Sequence, residues 1–143
     1  MGSLDSTSSN NSSASNNLEE LRKRFIVDES EYDKQFLERH LEMTLNYAVI
    51  TSDGKVIIKS EDIIEKDKVG LIILTRFLGN KLNNEIKETI TNNEISEYSR
   101  IDEKNVNAYL TKLTKSRDVL RVSKGIYKMN PSKINEFLSS LGK

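Results

Sequence analysis

This 143-residue chain has no cysteine, no tryptophan and a single proline. Without cysteine it has no disulfide framework, no thiol nucleophile and no zinc finger or ribbon. Long apolar runs are also missing. The longest, Val69 to Leu74, is six residues with a glycine inside it, against the roughly 20 needed to span a bilayer. The first residues lack the charged-then-apolar start of a secretory signal. An intracellular protein, cytoplasmic or nucleoid-associated and without a membrane segment, is therefore expected. The six glycines are scattered at 2, 54, 70, 79, 125 and 142, so no glycine-rich loop cradles a phosphate, and there is no nucleophile elbow or metal-binding helix motif. The single histidine, His40, lies beside Glu38 and Glu42 on a predicted amphipathic helix. Without cysteine or clustered carboxylates it is a poor metal site. No enzyme, no cofactor and no metal site are expected.

The net charge of zero hides a division. Residues 1–66 hold 8 Lys+Arg against 13 Asp+Glu, a balance of −5, and residues 67–143 hold 14 against 9, a balance of +5. From Lys104 to the end there are nine basic residues against Asp118 and Glu136. A concentrated basic segment on a neutral protein points to association with phosphates, because neutralising them supplies much of the affinity for nucleic acid. A solvated lysine face is the plainer explanation of the same counts.

Residues 1–17 are almost entirely Ser, Asn, Thr and Gly, with too little apolar surface to offset the entropy of ordering them, and are expected to be a disordered tail. The first six fit an N-myristoylation pattern, which an ordinary polar tail explains better. Residues 18–66 read as an acidic helix and β-hairpin extension. Leu18, Leu21, Phe25 and Ile26 suit a short helix or arm. A helix is predicted from Ser30, as N-cap, to Asn46, with Tyr32, Phe36, Leu37, Leu41 and Leu45 on one face. Two β-rich runs, Tyr47 to Thr51 and Lys55 to Lys59, flank Asp53-Gly54 and predict a hairpin. Ser60, Glu61 and Asp62 resemble a further helix start.

Residues 67–143 form the second predicted domain. A helix over Asp67 to Leu82, apolar around most of its circumference, is the expected core. Thr91-Asn92-Asn93-Glu94 is a capping box opening a short helix, with Ile95 and Tyr98 facing inward. Ile101 plugs the following turn and Asp102 caps the next helix, Glu103 to Ser116, which buries Val106, either Tyr109 or Leu110, and Leu113. Its other face carries small, amide and basic side chains, the kinds that enter a major groove, donate to phosphates or read base edges. Strands follow at Val119 to Ser123 and Ile126 to Asn130, reversed at Lys124-Gly125. Tyr109 and Tyr127 could stack on bases, but their spacing favours core packing. Pro131 starts a last helix with Ile134, Phe137, Leu138 and Leu141 inward.

Taken in order, Glu94 and Ile95, Ile101 at the turn, Val106, Leu110 and Leu113, Val119-Leu120, and Gly125-Ile126-Tyr127 make this half of the chain resemble the winged helix-turn-helix family. The resemblance implies a mainly α fold with small β-hairpins (α+β), carrying an N-terminal helix-plus-hairpin extension. It further implies a protein that binds double-stranded DNA as a transcriptional regulator or accessory factor, with the Glu103–Ser116 helix in the major groove. Lys104, Asn105, Asn107, Thr111 and Lys112 are the candidates for base and nearby backbone contacts. Lys115, Arg117, Arg121, Lys124 and Lys128 would neutralise phosphates. Asp102 and Glu103 would repel phosphate at the helix start, which moves the expected electrostatic hold onto the hairpin. Residues 18–66 are left for homodimerisation or for docking onto a protein partner. The alternative use of the same fold is as a protein-protein adaptor in a replication or transcription assembly.

Overall fold

The computed structural model describes residues 8–141, with side chains from Asn16 onward. The fold is mixed, with several helices and two small antiparallel sheets. The chain divides into two compact units, residues 1–36 and 37–143. The composition shift after Lys66 suggests a boundary there, but the division falls at Phe36/Leu37, and the predicted hairpin belongs to the larger unit.

In the smaller unit, helix α1 runs Ser8–Phe25. Ser8 to Asn17, expected to belong to a disordered tail, lie within this helix; residues 1–7, with the myristoylation match, lie outside the described residues. Once the Leu18–Phe25 turns form, each added residue gains a hydrogen bond without a new nucleus, so the helix extends into weak formers. Helix α2, Glu29–Leu45, crosses the division and starts two residues earlier than a Ser30 cap predicts. Asp28, not Ser30, caps it: the Asp28 carboxylate accepts from the Glu31 amide at 3.1 Å and from the Ser30 hydroxyl at 2.6 Å. The Ser30 hydroxyl and that amide hold the Asp28 carboxyl below its ordinary pKa. Tyr32 and Phe36 meet edge to face, centroids 4.7 Å apart.

The larger unit is built round α3, Glu65–Leu82, in which the eleven residues from Val69 to Gly79 are all buried. Strands β1 (Ala48–Ile50) and β2 (Val56–Ile58) pair Val49 with Ile57 and pack on α3. Gly54, at φ 92°, turns the hairpin. The residues Ser60–Asp62, expected to open a helix, form none; Ile63 is buried, Ile64 precedes α3 with no side-chain cap, and Glu65 favours the helix start through the dipole. A two-residue strand β3 (Ile90–Thr91), helix α4 (Asn92–Ser99) and helix α5 (Glu103–Lys115) follow. Strands β4 (Val119–Ser123) and β5 (Ile126–Met129) complete a sheet ordered β3-β5-β4. After a 3₁₀ turn at Pro131–Lys133, helix α6 (Ile134–Ser140) buries Ile134, Phe137 and Leu138, with Leu141 just beyond. Gly70 lets α6 approach α3: a Cβ there would stand 2.6 Å from the Phe137 ring. His40 Nε2 hydrogen-bonds Asn135 Oδ1 at 2.8 Å, tying the end of α2 to α6. Among the described residues no helix is long and apolar enough to cross a membrane.

Candidate nucleic-acid interface

The start of α5 is fixed by side-chain chemistry. Before it, the Thr91 hydroxyl accepts from the Glu94 amide at 3.1 Å and Glu94 Oε1 accepts from the Thr91 amide at 3.1 Å, so the predicted capping box closes. Arg100 ends α4 in the left-handed region at φ 61°. Ser96 then donates to the Ile101 carbonyl at 2.6 Å, and buried Ile101 fills the turn. Asp102 caps α5 by accepting from the amides of Lys104 at 2.7 Å and Asn105 at 3.2 Å. Its negative charge thereby occupies the helix N-terminus, where a phosphate would otherwise gain.

Val106, Leu110 and Leu113 bury the inner face of α5, and of the two candidates between them Leu110, not Tyr109, is the buried one. At about 100° per residue, Lys104, Ala108, Thr111, Lys112 and Lys115 fall together on the outer face. All five are exposed, as are Asn105 and Asn107. Beyond the helix, Arg117, also left-handed at φ 68°, and Arg121 and Lys124 on the β4–β5 hairpin are exposed as well. The register shifts between Arg121 and Ser123, and Gly125 turns the hairpin at φ 73°. Among the described residues, none of Lys104, Lys112, Lys115, Arg117, Arg121 and Lys124 has an ion-pair partner.

Three of the ten predicted site residues, Lys128, Asn107 and Thr111, have side chains engaged by the protein itself. Lys128 is half-buried and pairs with Glu88 at 3.5 Å, and Lys81 meets the same carboxylate at 3.6 Å. Asn107 Oδ1 accepts from Asn92 Nδ2 at 3.2 Å, so its own amide group is left to donate. Thr111 returns its hydroxyl to the Asn107 carbonyl at 3.0 Å. Tyr109 is half-buried and donates to Glu65 Oε1 at 2.8 Å, joining α5 to α3.

Sequence reasoning missed Asn92 and Arg76. Asn92 begins α4, donates its backbone amide to the Gly125 carbonyl at 3.2 Å and holds Asn107, so one residue links the first helix, the outer helix and the hairpin turn. Its place just after a Thr cap was the available signal. Arg76 is buried in α3 and donates to Glu94 Oε2 at 2.6 Å and to the Thr89 carbonyl at 3.2 Å. Burial works to raise the Glu94 carboxyl; the Arg76 and Thr91 hydrogen bonds and the guanidinium charge outweigh it and hold the pKa below the ordinary glutamate value. An arginine inside an otherwise apolar helical run was a signal for a buried partner.

Elsewhere, an apolar cleft of about 320 Å³ is lined by Leu41, Ala48, Ile50, Leu78 and Leu82 among others. The hydroxyls of Thr44 and Thr75 in its wall donate to their own helices, at 2.7 Å each, which leaves little to orient a ligand. Among the described residues no group of three or more carboxylate or histidine side chains is placed to hold a metal ion. No family model matches the chain, and comparison with the curated proteins and with the solved structures likewise gives no match.

Proposed function

We propose that residues 67–143 are a winged helix-turn-helix that binds duplex DNA, with α5 in the major groove and the β4–β5 hairpin as a wing on the backbone. Support comes from the element order α3-β3-α4-α5-β4-β5 with a β3-β5-β4 sheet. The observation that carries the reading is that Lys104, Lys112 and Lys115 on α5, Arg117 after it, and Arg121 and Lys124 on the hairpin are all exposed, with no ion-pair partner among the described residues; together they would form one basic band. Phosphate contacts position such a protein and base-edge contacts give it specificity. The band supplies the first. The exposed amides on α5 supply the second.

The two asparagines have different roles. Asn105 has a free side chain and offers both donor and acceptor, the pair that recognises adenine at N6 and N7. Asn107, with its oxygen held by Asn92, offers donors only and suits an acceptor such as guanine O6 or N7 or thymine O4. The protein would then act as a transcriptional regulator or accessory DNA-binding factor.

Selection from a random duplex library tests this. The native protein is expected to enrich a preferred sequence, and Asn105→Ala to lose the preference at one position while keeping the rest. Enrichment of no sequence by a folded protein would overturn sequence-specific recognition.

A further inference from the structure

We propose that α1 is a dimerisation helix that pairs antiparallel with α1 of a second copy of this chain. Leu18, Leu21 and Phe25 are spaced by three and four residues, so they line one stripe of the helix, and Ile26 extends it. In a finished fold such a stripe is covered. Here Leu18 is 69 %, Phe25 89 % and Ile26 67 % exposed.

Charge identifies the occupant. Along the axis the acids come first, Glu19 and Glu20, and the bases follow after Leu21 as Arg22, Lys23 and Arg24. Arg22 approaches Glu19 within the helix at 3.9 Å, with both side chains more than half exposed; Glu20, Lys23 and Arg24 have no ion-pair partner among the described residues. Two parallel copies would set both arginine clusters level, cation against cation. A two-fold axis near Leu21 and Arg22 reverses one copy, brings Glu19 and Glu20 toward the other's Arg22 and Arg24, which flank the stripe, and stacks Leu18 over the other's Phe25. The segment is therefore complementary to itself, as an isologous interface requires. An anionic lipid surface would attract the cations but repel the two glutamates lying between them and Leu18. One short stripe per chain buries less than the roughly 800 Å² per partner of a standard interface, so the dimer is expected to depend on concentration. This inference does not rest on DNA binding and can stand or fall separately from it.

The test is the mass of the full chain by sedimentation over a range of concentration. A rise from one chain to two is expected, and Phe25→Lys is expected to weaken dimerisation at least about tenfold. The all-basic Glu19→Lys/Glu20→Lys chain and the all-acidic Arg22→Glu/Lys23→Glu/Arg24→Glu chain should each remain monomeric, and their mixture should form a heterodimer, which shows that neither variant has lost its fold. Orientation is read by a single cysteine in a chain that has none: Leu21→Cys, beside the two-fold, should cross-link to its own copy and Asn16→Cys should not. A monomer at every concentration, a dimer indifferent to Phe25→Lys, cross-linking through Asn16→Cys instead, or a solution monomer that binds anionic vesicles would each overturn the proposal.

Discussion

Arg76 and Glu94 meet at 2.6 Å, the guanidinium of the core helix against the residue that closes the capping box of α4. The two partners are unequally placed: the Arg76 side chain is 6 % exposed and that of Glu94 35 %. Arg76 Nε is buried without a hydrogen bond, and Gly54 lies over the guanidinium, 3.6 Å from it to the position a Cβ would take. One ion pair therefore joins α3 and α4 beside the turn of the first hairpin.

Removing the two charges should have unequal effects. Glu94→Gln leaves a buried guanidinium without its counter-ion. Breaking a buried pair costs roughly 3–5 kcal/mol, and the partial exposure of Glu94 reduces the expected loss to about 2 kcal/mol. Arg76→Met leaves a glutamate that can rehydrate and should be the milder change. Denaturant unfolding of both variants checks the order.

Acid should act on stability in two opposing steps. Burial first, and the neighbouring Asp118 charge as well, raise the Asp67 carboxyl above its ordinary value against the pull of Lys66. A carboxyl raised by folding binds its proton more tightly in the native state, so its contribution improves as the pH falls into its titration range. The Glu94 carboxyl is depressed by folding, so its contribution is present above the ordinary glutamate range and lost as the pH falls through its native value. Thermal unfolding against pH should show Asp67→Asn more stable than native at neutral pH. The Glu94→Gln variant should lack the lower-pH loss.

Packing of α6 on α3 depends on the absence of a side chain at Gly70. Gly70→Ala should destabilise the protein by about 1–3 kcal/mol through overpacking, because its Cβ would stand 2.6 Å from the Phe137 ring. Phe137→Leu opens that space at the cost of a cavity. The double variant is expected to lose less than the two single losses combined, as a double-mutant cycle would measure.

Arg117 separates stability from binding. A side chain in the left-handed region costs roughly 1–2 kcal/mol, part of which glycine regains in place of a bulkier residue, so Arg117→Gly should stabilise the fold by about 0.5–1 kcal/mol. It should also weaken binding to duplex DNA. Unfolding and titration of the same variant read the two effects, and tighter DNA binding would speak against the basic band.

Much of this site is legible in the sequence because its signals are local. The Thr91–Glu94 box, the Asp102 cap and the Lys124-Gly125 turn each satisfy backbone groups within a few residues, and each stands where the residues place it. Less local features are not legible. Strand β3 is two residues long and exists only because β5 pairs with it. The Arg76–Glu94 pair spans 18 positions, and Lys128 looks like a phosphate contact until Glu88 is brought beside it. At the start of α2, Asp28 and Ser30 both have capping chemistry, and the residue two places earlier takes the role.

The salt dependence of duplex DNA binding tests the central claim most directly. With five or six phosphates neutralised by the band from Lys104 to Lys124, log affinity should fall against log salt with a slope of roughly −5. Arg121→Ala should reduce the slope by about one unit, and Lys128→Ala, already paired to Glu88, by clearly less. A folded protein that fails to bind duplex DNA at about 50 mM salt, or one whose slope is unchanged by Arg121→Ala, would contradict it.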